Sequence, residues 1–227
     1  MTISRRNAIT GLGAGAFAIA IATTATAESL RPTPQETFGP YFPVSTPPTH
    51  DFDLTHIAGR SAHALGQIIE VSGRVRRVDG SFVKSATIEI WQANAAGRYA
   101  HPEDPQTDKP LDPNFRGFGR VATDAEGRFR FTTVKPGPVP GRGNSLQAPH
   151  INVLLLSRGL LIHLHTRIYF DGEPANAADP LLSSIEDPKV RGTLLARREG
   201  SSQSGSPAHY RFDIVMQGDN ETAFLDL

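Results

Sequence analysis

The sequence predicts an all-β protein, a β-sandwich interrupted by one short helical excursion. Glycine and proline contribute 21 and 18 of 227 residues, and the hydrophobic fraction is a modest 38%. This composition favours a loop-rich β protein over a helix bundle. Segments such as Thr87–Gln92 and Arg128–Phe131 alternate apolar and polar residues, with the period of two that half-buried strands show. Short segments of this kind, separated by turn residues, are typical of a sandwich.

The first group of strands is predicted between residues 68 and 134. Ile68–Val75 and Thr87–Gln92 are the first two, each followed by turn-forming residues. Gly119–Thr123 and Arg128–Val134 come next, and the Asp-Ala-Glu-Gly sequence between them indicates a hairpin.

The stretch from Lys135 to Phe170 organises the rest of the chain. A Pro/Gly-rich loop leads into two apolar strands, which are joined by a tight connection at Ser157-Arg158-Gly159. Two more strands are predicted at Tyr210–Gln217 and Thr222–Leu227. The helical excursion is predicted between Asp179 and Arg198, where an Asp-Pro pair supplies an N-cap and a first turn.

Composition also excludes several classes of function. The formal net charge is zero, so nothing in it indicates nucleic-acid binding. The chain contains no cysteine, which rules out disulfides, zinc–thiolate sites and cysteine nucleophiles. Any cofactor must therefore be held by histidine, tyrosine or carboxylate side chains.

The chain divides into three parts. Residues 1–27 are predicted to be a twin-arginine-type signal peptide, because Arg5-Arg6 precedes a short apolar run and an A-x-A cleavage site. Residues 28–66 are a Pro-rich N-terminal arm, and residues 67–227 form the β-sandwich domain. The predicted location is the periplasm, with the cytoplasm as the alternative.

Three histidines mark the central stretch. On a strand, residues two apart point to the same face. His163 and His165 are therefore predicted to share a face, as are His150 and Asn152. A His-x-His pair can offer two imidazoles to a metal. The alternative for His163 and His165 is a polar strand face that is hydrogen-bonded at an interface.

Several short motifs together resemble the intradiol ring-cleavage dioxygenases. They run from about Thr37 to the C-terminus and comprise Gly39-Pro40-Tyr41, Glu89–Asn94, Gly97-Arg98-Tyr99, Leu111–Phe115, Thr133–Gly137, Ala148–Ile151, Tyr169-Phe170-Asp171 and Tyr210–Ile214. The resemblance implies a β-sandwich of transthyretin-like or immunoglobulin-like type. It also implies a mononuclear Fe(III) site with two tyrosine and two histidine ligands, which suit a hard trivalent ion.

The implied ligand set is incomplete in this chain. The first tyrosine falls on Tyr99 and the first histidine on His150, but the second tyrosine position is Val139 and the second histidine position is Asn152. Valine offers no donor atom, and a neutral amide replaces imidazole poorly on Fe(III). An arginine of the family falls on Gln147. We therefore expect no native-like iron site within this chain.

The resemblance also offers an explanation for the missing ligands. Enzymes of this family include hetero-oligomers in which an iron-bearing β subunit pairs with a homologous α subunit that lacks iron. The segment 163–167 and the segment 217–222 are similar to the α type. The resemblance then implies that Thr37, Gly39, Pro40 and Tyr41, together with Arg167, line the substrate pocket of the partner.

The implied activity is cleavage of 3,4-dihydroxybenzoate between its hydroxyls by O₂, with Fe(III) held in the β subunit. Two other readings stay open at this point. One is a self-sufficient exported intradiol dioxygenase with altered iron ligands, and the other is a non-catalytic β-sandwich binding protein.

Overall fold

A computed structural model describes residues 41–43, 52–200, 206–218 and 220–225. Its regular elements are eleven strands and three short helices. The strands are β1 (Ile68–Arg76), β2 (Thr87–Trp91), β3 (Phe118–Ala122), β4 (Arg128–Val134), β5 (Val139–Pro140), β6 (Leu146–Gln147), β7 (His150–Leu156), β8 (Leu164–Phe170), β9 (Leu195–Glu199), β10 (Ala208–Arg211) and β11 (Ile214–Val215). The helices are a 3₁₀ helix (Pro174–Ala178), α1 (Pro180–Ser184) and α2 (Pro188–Gly192). The predicted all-β class is confirmed at this level.

Nine of the strands form one sheet, in the order β11-β1-β10-β9-β8-β7-β2-β3, with β4 paired to β1 off this path. Strands β5 and β6 form a separate two-stranded ribbon. Strand β9 connects the two halves of the large sheet, because Leu195 and Ala196 pair with β8 while Arg197 to Glu199 pair with β10.

The main hydrophobic core takes side chains from both halves of the sheet. Strand β1 alternates strictly between partly exposed and buried positions, so Ile69 and Val71 enter the core while their neighbours face outward. Side chains of β2, β4, β7 and β8 join the same cluster. Strand β7 differs because six of its seven residues are buried. Ile151, Val153 and Leu155 lie in the main core, and the alternate residues line the site described below.

The two apolar strands predicted between Lys135 and Phe170 are confirmed. Strands β7 and β8 are antiparallel partners, with Ile151 opposite Ile168. The connection between them comprises residues 157–163 and is therefore longer than the predicted Ser157-Arg158-Gly159. Leu161 and Ile162 in this connection are exposed.

The predicted hairpin of the third and fourth strands is wrong. The turn at residues 124–127 is present and is closed by Asp124, whose backbone bonds both Arg128 and Gly127. However, β3 pairs with β2 and β4 pairs with β1. The two strands therefore follow each other in the sequence but are not hydrogen-bonded to each other in the sheet.

The C-terminal third also departs from the prediction. Three short helices replace one, although the predicted Asp187 N-cap of α2 is confirmed by a 2.7 Å bond from the amide of Lys189. The end of the range in which the short helical excursion is predicted, Asp179 to Arg198, belongs to strand β9 (Leu195–Glu199). The predicted strand 210–217 is split between β10 and β11. The strand predicted at Thr222–Leu227 is not formed by the described residues 222–225. Leu225 makes an isolated bridge to His165 instead.

The end of the predicted N-terminal arm packs into the domain. Leu54 is fully buried in the main core, and its amide donates to the carbonyl of Thr132. The predicted signal peptide and the arm residues Thr37, Gly39 and Pro40 lie outside the described residues. Among the helices that the structure describes, none has the length and apolar character needed to cross a membrane.

Candidate functional site

Strands β7 and β8 bring most of the predicted site residues together. His150 and Asn152 are two residues apart on β7 and therefore point to the same face. In the antiparallel register, Asn152 lies opposite Arg167 and His150 lies opposite Tyr169. All four residues are buried. The prediction that His150 and Asn152 share a face is confirmed.

The guanidinium of Arg167 is the centre of a buried hydrogen-bond network. Its Nε donates to Oδ1 of Asn152 over 3.1 Å, and one terminal nitrogen donates to Oε1 of Gln147 over 3.0 Å. The same nitrogen lies 3.5 Å from the hydroxyl of Tyr169. Arg167 is only 6% exposed, so its charge is held by acceptors of its own chain. Its assignment to a partner's substrate pocket stays a prediction.

Tyr99 is the one tyrosine retained from the implied ligand set. Its amide donates to Oδ2 of Asp104 over 2.7 Å, which fixes the backbone after the turn of residues 94–98. Its hydroxyl accepts a 3.3 Å bond from Nδ2 of Asn152. Burial raises the pKa of Tyr99 to about 12, although the positive charge of Arg167 opposes the shift. The phenol is therefore protonated at neutral pH.

His150 is buried and neutral. Its Nδ1 lies 2.7 Å from the carbonyl oxygen of Ala148. Because a carbonyl oxygen only accepts, Nδ1 carries the proton and Nε2 keeps its lone pair. Burial, assisted by the charge of Arg167, lowers the pKa of His150 to about 3.

Val139 lies where the family resemblance implies the second tyrosine. Strand β5 places it opposite Gln147 on β6. It is buried in an apolar cluster with Trp91, Tyr99 and Phe118. Through Gln147, which bonds Arg167, this position is connected to the same network as Asn152.

The residues present do not fit the ferric ion that the resemblance implies. Tyr99 and His150 supply two donors, whereas Val139 supplies none and the oxygen of Asn152 is already bonded to a guanidinium. A fixed positive charge beside the remaining donors also repels a trivalent cation, and this repulsion is strong in a buried site. The site therefore lacks both the donor number and the electrostatics of an Fe(III) centre.

His163 and His165 are not equivalent. His165 lies on β8, is buried and stacks on Trp91 with ring centroids 5.6 Å apart. Burial lowers its pKa to about 3. His163 precedes the strand and is partly exposed. Within the described ranges, no group of three or more histidine and carboxylate side chains could hold a metal ion.

The described part of the arm lies against the same site. The ring of Tyr41 packs 4.7 Å from that of Tyr99, and Phe42 meets Trp91 edge to face at 5.0 Å. A cleft of about 380 Å³ borders this contact and is lined by Tyr41, Tyr99 and His101, among other residues. The arm thus covers the pocket that contains the retained tyrosine.

One supporting residue, Asp179, was missed by the sequence reasoning. Asp179 is fully buried and accepts bonds from the amide of Ala148, the amide of Leu182 and the hydroxyl of Tyr169. It thereby connects helix α1 to the network around Arg167. The Asp-Pro-Leu-Leu sequence at residues 179–182 is an N-cap signal of the same kind as Asp187-Pro188, and it could have revealed this residue.

Comparison with known proteins identifies the family. A family model described as "Dioxygenase" matches residues 37–218, which is most of the chain. The chain therefore belongs to the intradiol dioxygenase family, and the resemblance stated from its motifs is confirmed.

Curated relatives specify the type of enzyme further. The protocatechuate 3,4-dioxygenase alpha chain of Burkholderia cepacia is 40% identical over 206 residues, which cover 88% of this chain and 99% of the relative. The beta chain from the same organism is 42% identical over 175 residues, or 76% of this chain and 74% of the relative. Overall identity alone thus does not separate the two chain types.

A solved structure supports the fold. The dioxygenase domain of a dioxygenase–carbohydrate-binding protein fusion from Streptomyces sp. SirexAA-E matches with a TM-score of 0.59 and 28% identity. The match covers 82% of this chain and 97% of that domain.

Proposed function

We propose that the chain is the α subunit, without iron, of a protocatechuate 3,4-dioxygenase-type enzyme. The complete enzyme opens 3,4-dihydroxybenzoate between its hydroxyls with O₂ and forms 3-carboxy-cis,cis-muconate. Similarity to an alpha chain over nearly the whole length of both proteins supports this assignment.

One observation favours the alpha type over the beta type. Two of the four implied ligand positions carry no suitable donor, and Arg167 is bonded to one of them, Asn152. A subunit that holds iron itself needs a full set of donor side chains. The arrangement of Tyr99, Val139, His150, Asn152 and Arg167 instead suits a partner chain.

The remaining parts of the proposal concern assembly. Fe(III) resides in a homologous β subunit, and the two chains form an αβ hetero-oligomer, as the names of the relatives suggest. Thr37, Gly39, Pro40 and Tyr41 reach the partner's substrate pocket. The large sheet is folded as a transthyretin-like sandwich, since the main core draws side chains from both of its halves.

The decisive experiment compares the chain alone with the chain co-expressed with a candidate β subunit. We expect the lone chain to be colourless and inactive in oxygen-uptake assays with protocatechuate, and the complex to be coloured and active. Stoichiometric iron in the lone chain, with a visible phenolate band, would instead support a self-sufficient dioxygenase.

The sequence prediction that Arg167 lines the partner's substrate pocket is tested separately. If the guanidinium binds the substrate carboxylate, Arg167→Ala in the complex loses about ten- to a hundredfold in kcat/KM for protocatechuate, and far less for catechol. Equal losses on both substrates would show that Arg167 supports only the structure of its own chain.

We also propose export to the periplasm. The support is the Arg5-Arg6 pair, followed by the apolar run and the small-residue cleavage site. Replacing both arginines by lysine should leave the protein in the cytoplasm. An uncleaved chain in the cytoplasm of the unmodified strain would contradict the proposal.

A further inference from the structure

The side chain of Arg167 is fixed from three directions. Asn152 on β7, Gln147 on β6 and Tyr169 on β8 all contact its guanidinium. Tyr169 is itself held by a 3.2 Å bond to Asp179. Only 6% of the residue is exposed, so the guanidinium can move only when these hydrogen bonds break. The positive charge is therefore a permanent feature of the site.

Asn152 is oriented by the same charge. Its carbonyl oxygen accepts from Arg167, so its amino group faces the hydroxyl of Tyr99 at 3.3 Å. A neutral amide can satisfy a cation on one side and a phenol on the other, because it has both an acceptor and a donor. A neutral imidazole carries one acceptor and one donor nitrogen in a different, rigid geometry. Asn152 and Arg167 therefore form a matched pair.

We infer that the guanidinium of Arg167 is a built-in cation that takes the electrostatic place of a metal ion and excludes metals from this site. The missing ligands at Val139 and Asn152 are on this view only part of the reason that the chain does not hold iron. That the excluded metal is iron rests on the proposed function. The hydrogen bonds around Arg167 are observed independently of that function.

The surroundings of the guanidinium agree with this role. Three of its contacts are neutral groups, the amides of Asn152 and Gln147 and the phenol of Tyr169. Asn152 also bonds the hydroxyl of Tyr99, so the guanidinium lies one side chain away from a retained donor.

The test restores the lost ligands with and without the charge. The first full-length variant combines Val139→Tyr with Asn152→His. Two further variants add Arg167→Met or Arg167→Lys to that pair. Methionine and lysine are similar in length, so this comparison separates the effect of charge from the effect of volume.

Each purified variant is incubated with ferrous sulfate in air or with zinc chloride. Bound metal is then measured by elemental analysis, by the visible phenolate band for iron and by the shift in Tm for zinc. Near-UV circular dichroism restricts the comparison to variants that keep the native fold.

We expect the variant that retains Arg167 and the lysine variant to show at least about tenfold lower metal occupancy than the methionine variant, because like charges repel strongly in a buried site. Close to one metal ion per chain in the methionine variant alone supports the inference. Equal loading of all three, loading of the lysine variant, or no loading of a folded methionine variant overturns it. These measurements need no partner and no activity, so their failure would leave the proposed function standing.

Discussion

Replacing Asp179 by alanine tests how strongly helix α1 is connected to the buried network. The side chain makes three hydrogen bonds, at 2.8 Å to the amide of Ala148, 3.0 Å to the amide of Leu182 and 3.2 Å to the hydroxyl of Tyr169. The bond to Leu182 is the N-cap of α1, and the loss of such a cap costs about 1 kcal/mol. The other two donors are left buried without this acceptor, at roughly 1–3 kcal/mol each.

The total expected loss in the free energy of unfolding is about 3–5 kcal/mol, because contributions within one network do not add fully. Urea unfolding of the full-length chain measures it, with the fluorescence of Trp91 as the probe, since this is the single tryptophan and it is buried. A change of this size should shift the urea midpoint without changing the slope of the transition.

Asp187 provides a matched control. It caps α2 in the same Asp-Pro context, but it is exposed and makes its cap bond to Lys189. Asp187→Ala should cost only about 1 kcal/mol. If Asp179→Ala destabilises the chain no more than Asp187→Ala does, the bonds to Ala148 and Tyr169 are energetically unimportant and the reasoning is refuted.

Two other predictions concern pH and backbone packing. The pKa of His150 is about 3 in the folded chain, against an ordinary value of 6.5. The unfolded chain therefore binds a proton first as pH falls, and the free energy of unfolding decreases by up to about 1.4 kcal/mol per pH unit between about pH 6 and pH 4. In urea unfolding at several pH values, the free energy of unfolding of His150→Gln should decrease less steeply with falling pH than that of the unchanged chain. An equally steep decrease would contradict the lowered pKa of His150. A Cβ atom at Gly73 would lie 1.7 Å from the carbonyl oxygen of Phe212, whereas one at Gly192 meets nothing within 4 Å. Gly73→Ala should therefore lower the Tm sharply and Gly192→Ala should not; similar Tm values for the two variants would show that the sheet can relax.

The sequence predicted individual strands better than their partners. The alternation of Arg128–Val134 and the apolar run of His150–Leu156 both indicate strands because burial fixes the pattern of side chains along each one. The hairpin prediction failed because the turn residues 124–127 determine only the local path of the backbone. They do not determine which strands β3 and β4 pair with. Which neighbour β3 and β4 bond to is decided by contacts between residues far apart in sequence.

The site was predictable in position but not in its contacts. The motifs place His150 and Asn152 correctly, since a strand sets the direction of residues two apart. The network around Arg167 depends on how β6, β7 and β8 meet. An arginine has several rotatable bonds, and the sequence alone does not specify which acceptors it reaches. Leu195 likewise fits a helix or a strand, and its pairing with Tyr169 decides for the strand.

The position of β9 has a consequence for how the domain opens. Its first two residues are hydrogen-bonded to one half of the sheet and its last three to the other half. Neither half can separate from the other unless the backbone bonds of this strand break. Amides on both sides should therefore exchange with deuterium as one cooperative unit. Partial unfolding that exposes the main core then becomes rare.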